Sequence, residues 1–279
     1  MRHIPPIDLA QLPSLTDIRD SLKPDAKAVV KAVGARLSAA YIKFNAQIPN
    51  GLHTIRPRML PSEVRPTLEA IFRRRLGKFR ATWEALIEHF DGAGESTCPY
   101  CNLGENWEYD HFLPKSIFPE FTLYPPNLIP ICKSCNGKKL ARYRENGERL
   151  FLYVPFELDG ASDLLSISVA YVPKLRVSYA LTNSGAVSSE TFAVLNRHFD
   201  ALNLERRYAR QASSLIARLR RQFRSKNSLA LGRRRLRKRL TQMAIDSELR
   251  CPPNHWEVVL LSHLAATNDF VDHVYESIA

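Results

Sequence analysis

The sequence predicts an α+β fold in which a small cysteine-framed module is preceded by helices and followed by strands and helices. Apolar residues recur at the helical period up to about residue 90, and two Cys-x-x-Cys pairs then enclose two short strand-like runs. Beyond the module, period-two runs give way to helical ones near residue 188. We therefore expect an N-terminal helical region at 1–95, the module at 96–145 and a strand-plus-helix region at 146–279.

The N-terminal region is predicted to contain two helices. Residues 1–20 are punctuated by prolines and are expected to be extended, whereas residues 24–47 follow a helical pattern. After a connector rich in proline and arginine, apolar residues at the 3.6-residue period predict a second helix. It is expected to run from about Ser62, a suitable N-cap residue, to Phe90.

The central module is predicted to run strand, excursion, strand, helix. The strand-like runs are WEYDHF and NLIPIC, and CNGKKLARY is expected to begin a helix immediately after the second cysteine pair. The excursion between the strands, LPKSIFPEFTLYPP, is long and rich in proline, which is typical of a loop that leaves a hairpin and returns.

The C-terminal region is predicted to begin with strands and to end with helices. RLFLYVPFEL, LLSISVAYV and KLRVSYALT have period-two or continuous apolar patterns, and TNSG is a turn signal. From about Ser188 the pattern is helical, and in 206–224 apolar residues occupy one side of the predicted helix while arginines occupy the other.

Basic charge is concentrated in one segment. The 279-residue chain has a net charge of +12, and fourteen of its 40 Lys and Arg residues lie between Arg206 and Arg239, a stretch without Asp or Glu. Subtracting those fourteen leaves 26 basic residues against 28 acidic ones. A local basic face of this kind favours a polyanionic partner, because phosphate contacts release condensed counterions.

The chain is expected to lie in the cytoplasm, without a membrane segment. No run of eighteen apolar residues occurs, and the N-terminus has no apolar signal-peptide core. In a reducing compartment, paired cysteines at this spacing indicate metal binding rather than disulfides, and the isolated Cys251 is expected to be an ordinary structural thiol.

The two cysteine pairs predict a structural zinc site. Four thiolates fill all positions of a tetrahedral zinc ion and leave none for water, so the ion would stabilise the fold and take no part in chemistry. The four predicted ligands are Cys98, Cys101, Cys132 and Cys135.

A second group of residues in the module suggests catalysis with a hard divalent ion. Phosphodiester hydrolysis needs a base to deprotonate water and a cation to stabilise the charge that develops. The imidazole of His111 can be the base, and the amide oxygen of Asn136 suits an ion such as magnesium. The adjacent Asp110 is expected on the other side of the strand, where it could bind a metal or be oriented elsewhere. The alternative is a structural Asp and an ordinary His inside a zinc-binding module that only binds nucleic acid.

At these residues the chain resembles the HNH endonucleases, also called His-Me-finger or ββα-metal nucleases, in the arrangement of phage endonuclease VII. The resemblance covers about residues 97–140, where a DH pair, a middle Asn and a terminal Asn are framed by two cysteine pairs. It implies His111 as general base, Asp110 and Asn136 as ligands of catalytic magnesium or manganese, and Asn127 as a brace that orients His111. Because Asn136 stands where the commonest pattern has His, the choice of metal stays open.

A fainter resemblance concerns biological context. DHFLPKSxxPEF with NLIPxCxxCNGKK is similar to free-standing nucleases encoded beside ATPases in bacterial anti-phage systems. This resemblance implies a role in anti-phage defence and an ATPase partner protein.

Cations in two places are expected to contact DNA, most simply duplex DNA. Near the DH pair they are Lys115, Lys138, Lys139 and Arg142, and on the basic helix they are Arg218, Arg221 and Arg224. The alternatives are solvated helix faces or, for the basic helix, a surface that docks an acidic partner protein. Binding to such a partner would be insensitive to competitor DNA.

Overall fold

The computed structural model describes residues 1–91, 97–105, 108–225 and 232–276. They form two compact units, one consisting of His3–Asp159 and the other of Met1–Arg2 with Gly160–Ala279. The predicted α+β class is confirmed, since helices accompany small two-stranded antiparallel sheets. Within the described ranges, no helix is both long enough and apolar enough to cross a membrane.

The first unit begins with helices, one of which differs from its prediction. The helix expected at 24–47 is present, but the one expected from Ser62 to Phe90 is broken by left-handed residues at Arg75 and Gly77, with φ of 52° and 56°. At Gly77 a Cβ would lie 2.3 Å from Ser21 Oγ, and the positive φ also favours glycine. The N-cap is Glu63 rather than Ser62. The helices are α1 (Leu15–Asp20), α2 (Pro24–Ala46), α3 (Val64–Arg74) and α4 (Phe79–Asp91).

The two predicted strands of the module form an antiparallel ribbon. Strand β1 (Glu108–His111) pairs with β2 (Leu128–Ile131) in a register that sets His111 opposite Leu128, while Trp107 lies outside the described residues. Helix α5 (Lys133–Lys139) starts earlier than predicted, within the second cysteine pair, because the Cys132 side chain caps it by accepting the Cys135 amide. A short hairpin of β3 (Arg144–Glu145) and β4 (Glu148–Arg149) follows.

The strand predicted from RLFLYVPFEL is wrong. Residues 150–154 are buried but irregular, and no strand pairs with them among the described residues. A buried ion pair organises the segment instead: both Arg149 Nη atoms lie 2.7 Å from Glu157 oxygens, and the Tyr153 amide donates to the same carboxylate at 2.6 Å. The Glu157 carboxylate thus accepts a backbone hydrogen bond that a neighbouring strand would otherwise accept.

The second unit agrees with the predicted order of strands and then helices. Strand β5 (Leu165–Ala170) pairs with β6 (Arg176–Leu181) in an antiparallel hairpin. The helical part begins at the N-cap Ser188, and the predicted apolar side of the basic helix is buried from Tyr208 to Phe223. The helices are α6 (Ser189–Ala201), α7 (Leu204–Phe223), α8 (Arg233–Arg250), α9 (Trp256–Ala266) and α10 (Asp269–Glu276).

Candidate catalytic and metal-binding site

The four paired cysteines come together in one buried cluster. Their Sγ atoms all lie within 4.8 Å of one another. Two of them, on Cys101 and Cys132, are 3.7 Å apart. A tetrahedral ion with zinc–thiolate bonds of about 2.3 Å would set its sulfur atoms about 3.8 Å apart. The donor set therefore fits a metal ion such as zinc.

Local backbone geometry brings the two cysteine pairs close. The first pair lies in a tight turn, in which the Cys98 amide donates to Gly104 O at 2.7 Å and the Asn102 amide donates to Cys98 O at 2.8 Å. A Cβ at Gly104 would lie 3.0 Å from the Cys132 Cβ. Glycine at this position therefore lets the turn approach the second pair closely.

The imidazole of His111, at the end of β1, is held by a backbone carbonyl. Its Nε2 lies 3.0 Å from Thr122 O, and a carbonyl can only accept, so Nε2 carries the proton and Nδ1 carries the lone pair. The ring also lies 4.6 Å from that of Phe72. Burial lowers the pKa of His111 to about 3, so the free residue is neutral at neutral pH.

Asn127 fixes the loop that supplies this carbonyl. Its Oδ1 accepts from the Leu113 amide at 2.8 Å, and its Nδ2 donates to Leu113 O and Phe121 O at 3.0 and 3.3 Å. The side chain is fully buried. Asn127 therefore links the start of the excursion to its end. It also binds the carbonyl of Phe121, the residue before Thr122, whose own carbonyl accepts from His111.

Asp110 forms a buried ion pair with Lys139 at the end of α5. Lys139 Nζ lies 2.8 Å from Asp110 Oδ2, and the two side chains are 0% and 7% exposed. Burial raises the pKa of Asp110, and the adjacent ammonium group of Lys139 opposes that shift. Lys139 was predicted to contact DNA phosphates, but here it faces inward.

Asn136 projects from the middle of α5 toward β1. Its Nδ2 donates to Glu108 Oε2, so the amide oxygen is the atom left to face a cation. Glu108 was not among the predicted site residues. The available signal was its position two residues before Asp110, which places both carboxylates on the same side of a strand.

The predicted base and both predicted metal ligands line one cavity of about 250 Å³. Lys115 lines the same cavity, and its ammonium group also lies 5.0 Å from the Phe72 ring centroid. Lys138 and Arg142 are not part of the cavity lining; Arg142 is exposed and donates to Lys138 O. The described residues that line it are Tyr109, Asp110, His111, Pro114, Lys115, Ser116, Asn136, Leu140 and Ala141.

The predicted DNA-contacting arginines lie in the second unit. Arg218 and Arg221 are exposed on α7, whereas Arg224 is half-buried as its C-cap residue. Arg221 and Arg224 line a second cavity of about 310 Å³ together with Arg220 and His273, and Arg218 is not among its lining residues.

Some arginines of the basic run 233–239 contact other residues of the second unit. Arg233, at the start of α8, forms an ion pair with Asp272 of α10 and also lies 4.7 Å from the Tyr275 ring centroid. Arg239 lies 5.7 Å from the ring of Phe223. These arginines therefore contribute to packing within the unit, and residues 226–231 between the two basic helices lie outside the described part of the chain.

Comparisons with known proteins identify the module. Residues 98–142 match the HNH endonuclease family model. The chain is 26% identical over 188 residues to protein ea31 of Escherichia phage lambda, an alignment that covers 62% of each chain. It is 47% identical over 47 residues to the Septu protein PtuB of Bacillus thuringiensis, covering 15% of this chain and 18% of that protein. No solved structure matches significantly.

These matches cover the site and part of its surroundings rather than whole proteins. The lambda alignment spans less than two thirds of either chain, and the PtuB alignment spans little more than the module. The family match includes the four cysteines, the DH pair and both asparagines. The chain therefore carries an HNH endonuclease domain at 98–142, in the middle of an α+β architecture.

Proposed function

We propose that this protein is a metal-dependent HNH endonuclease that hydrolyses DNA phosphodiester bonds. The observation that carries the proposal is the convergence of His111, Asp110 and Asn136 on one cavity within the residues that match the family. The tautomer of His111, whose Nδ1 carries the lone pair, and the two oxygen donors that line the same cavity support catalysis over nucleic-acid binding alone.

In the proposed reaction His111 is the general base. Its Nε2–H is bound to Thr122 O, so Nδ1 can take a proton from the attacking water. Asn127 acts through the loop and is a positioning residue. A phosphodiester in the cavity would bring negative charge beside the ring and would stabilise the imidazolium that forms.

Asp110 and the amide oxygen of Asn136 would hold the catalytic cation. Both are hard oxygen donors, which suit magnesium or manganese, and the carboxylate of Glu108, which accepts from Asn136, adds a third oxygen donor nearby. The bound ion would stabilise the negative charge that develops on the phosphate and on the leaving oxygen. Lys115 lines the same cavity and would contact a phosphate flanking the scissile bond.

Nicking of supercoiled plasmid should depend on an exchangeable ion that is distinct from the four-cysteine ion. Structural zinc sites bind with apparent free energies of about 10–16 kcal/mol, so brief EDTA treatment should remove the hard ion first. Cleavage should then stop, although elemental analysis still finds one zinc per chain. Magnesium or manganese should restore cleavage.

The control for this experiment is the same EDTA-treated protein supplied with zinc alone. Restoration of cleavage by zinc without magnesium or manganese would contradict the two-site interpretation. Cleavage that persists in EDTA would contradict metal dependence altogether. The same assay with single-stranded and RNA substrates decides whether DNA is the preferred nucleic acid.

We propose that Arg218, Arg221 and Arg224 bind the phosphate backbone of duplex DNA. Replacing all three with Gln removes charge and keeps helix propensity. Each lost phosphate contact should reduce the salt slope of log K by about 0.9. The reduction should be similar on two unrelated duplexes, because backbone contacts do not read bases. Affinity is measured against salt concentration in a His111→Ala background, so that the DNA stays intact.

A matched control removes the same charge from another helix. Lys31, Arg36 and Lys43 are exposed on α2, and changing them to Gln should leave the salt slope nearly unaltered. An unchanged slope in the Arg218, Arg221 and Arg224 variant would contradict DNA binding by this helix. It would then favour an acidic protein partner.

We also propose that the protein acts in anti-phage defence beside a partner ATPase. The similarity of its module to the Septu protein PtuB supports this proposal, as does the resemblance of its DH and CxxCN motifs to nucleases encoded beside ATPases. The arginine surface of α7 is then the alternative docking site, which the salt-slope experiment distinguishes from a DNA-binding surface.

A further inference from the structure

Lys139 is a fully enclosed lysine whose polar contacts are with the DH pair. Its Nζ lies 2.8 Å from Asp110 Oδ2 and donates to His111 O at 3.0 Å. The face of the Phe151 ring lies 5.8 Å away. Lysine is almost never buried without a counter-ion, and here the counter-ion is a proposed metal ligand.

The burial of Lys139 separates it from the other cations of the module. Its side chain is 0% exposed, so it has no surface with which to meet a DNA phosphate. Lys115 and Lys138 are half-buried, and Lys115 lines the cavity. A role for Lys139 must therefore be exerted through the groups that it touches.

We propose that Lys139 is a positioning residue of this nuclease, a cation fixed within the protein that holds the Asp110 carboxylate and the His111 main chain in their working arrangement. The inference rests on the proposed function, because it assigns Lys139 a role in that same reaction. Lys139 occupies one carboxylate oxygen of Asp110 and thereby limits how that side chain can turn toward a cation.

The small size of β1, β2 and α5 explains why the contacts of Lys139 are needed. Strands β1 and β2 have four residues each, and α5 has seven. A two-stranded ribbon of this length is marginally stable by itself. The proposed base and one ligand lie on β1, whereas the other ligand lies on α5. Lys139 is the last residue of α5 and contacts both members of the DH pair. It therefore fixes the spacing between the proposed base, the ligand on β1 and the ligand on α5.

The first test is a Lys139→Met variant, which keeps the length of the side chain and removes its charge. Misplacement of catalytic groups by about 1 Å can cost about 10²-fold in rate. We therefore expect kcat on plasmid DNA to fall about 10²-fold. The Kd for duplex DNA and its salt slope, measured in a His111→Ala background, should not change. The matched control is Lys133→Met on the same helix, an exposed residue whose loss should alter none of these quantities.

A direct phosphate contact would give the opposite pattern. Lys139→Met would then weaken DNA binding and reduce the salt slope by about 0.9, and this result would overturn the proposal. An unchanged kcat would overturn it as well.

The second test separates positioning from a purely structural ion pair. Asp110→Asn leaves the ammonium group of Lys139 buried without a counter-ion, and the Tm should fall by about 6–20 °C. The double variant Asp110→Asn with Lys139→Met removes both charges and should recover most of that loss. Cleavage should remain absent in the double variant, because it has neither the Asp110 carboxylate nor the Lys139 ammonium group.

Two outcomes of the second test would overturn the proposal. If the double variant recovered both cleavage and Tm, the role of the ion pair would be structural only. If the Asp110→Asn variant and the double variant had equal Tm values, no ion pair would exist. Absence of cleavage by the wild-type protein would instead contradict the proposed function. The Tm values would then still report whether Lys139 and Asp110 are paired.

Discussion

A Cys132→Ser variant is expected to lose the metal ion of the four-cysteine site and, with it, the folded structure around residues 98–142. The Cys132 sulfur lies 3.7 Å from that of Cys101, and the same side chain caps α5. Apparent zinc binding of about 10–16 kcal/mol in such sites is comparable to or larger than the total stability of about 5–15 kcal/mol of a typical protein. Helix α5 carries Asn136 and Lys139, so nuclease activity should disappear together with the local structure.

Elemental analysis and limited proteolysis measure this effect. The wild-type protein should retain one zinc per chain, while the Cys132→Ser protein should retain little and should be cleaved rapidly or be insoluble. Cys251 provides the matched control, because it is half-buried and lies in the other unit. Cys251→Ser should keep both zinc and protease resistance. A Cys132→Ser protein with full zinc content and wild-type resistance would contradict a metal-stabilised module.

The central module was the most predictable part of the chain because its function depends on short local patterns. Two cysteine pairs specify four thiolates, and the two strand-like runs between them are short enough to pair as a hairpin, which the observed register of β1 and β2 confirms. The α+β class followed in the same way from the order of periodic segments. Neither inference needed information about distant contacts.

The different placements of Lys138 and Lys139 were not predicted from the sequence. The two residues are identical and adjacent, and each helical position turns the side chain by about 100°. Lys139 lies four residues after Cys135, and both are buried on the same face of α5, whereas Lys138 is half-buried. The spacing from a predicted zinc ligand was therefore the available signal. It was not used, because the helix was predicted only to begin after the second cysteine pair, and its observed start is Lys133.

Two errors in the fold arose because apolar patterns are ambiguous. The apolar period continues from α3 into α4 across the break, so Gly77 was the single local signal that the helix ends there. Residues 150–154 form a continuous buried run, and such a run is compatible with strand, helix or irregular structure. The pairing of Arg149 with Glu157 decides the outcome, and that contact depends on tertiary structure.

A His111→Ala variant is expected to lose about 10²–10⁴-fold in cleavage rate, which is the usual contribution of a positioned general base. This loss corresponds to about 3–5.5 kcal/mol of transition-state stabilisation, at about 1.4 kcal/mol for each tenfold change. The Kd for DNA should change little, because His111 is only 6% exposed and offers small contact area. Zinc content should be unaltered, because the imidazole is not part of the four-cysteine cluster.

The loss of rate must be separated from any loss of folding. Alanine removes the bond to Thr122 O and the packing against Phe72, so the Tm of His111→Ala is measured alongside its single-turnover rate. His111→Gln fills more of the space left by the imidazole but offers no comparable base. It should be as inactive as His111→Ala, and its Tm should lie closer to that of the wild type. His263→Ala, on α9 of the other unit, is the histidine control and should cleave normally. Undiminished cleavage by His111→Ala, in a preparation free of contaminating nuclease, would contradict the assignment of the base. The proton acceptor would then have to be another group of the cavity, and the carboxylate of Asp110, which lines the same cavity, would be the next residue to test.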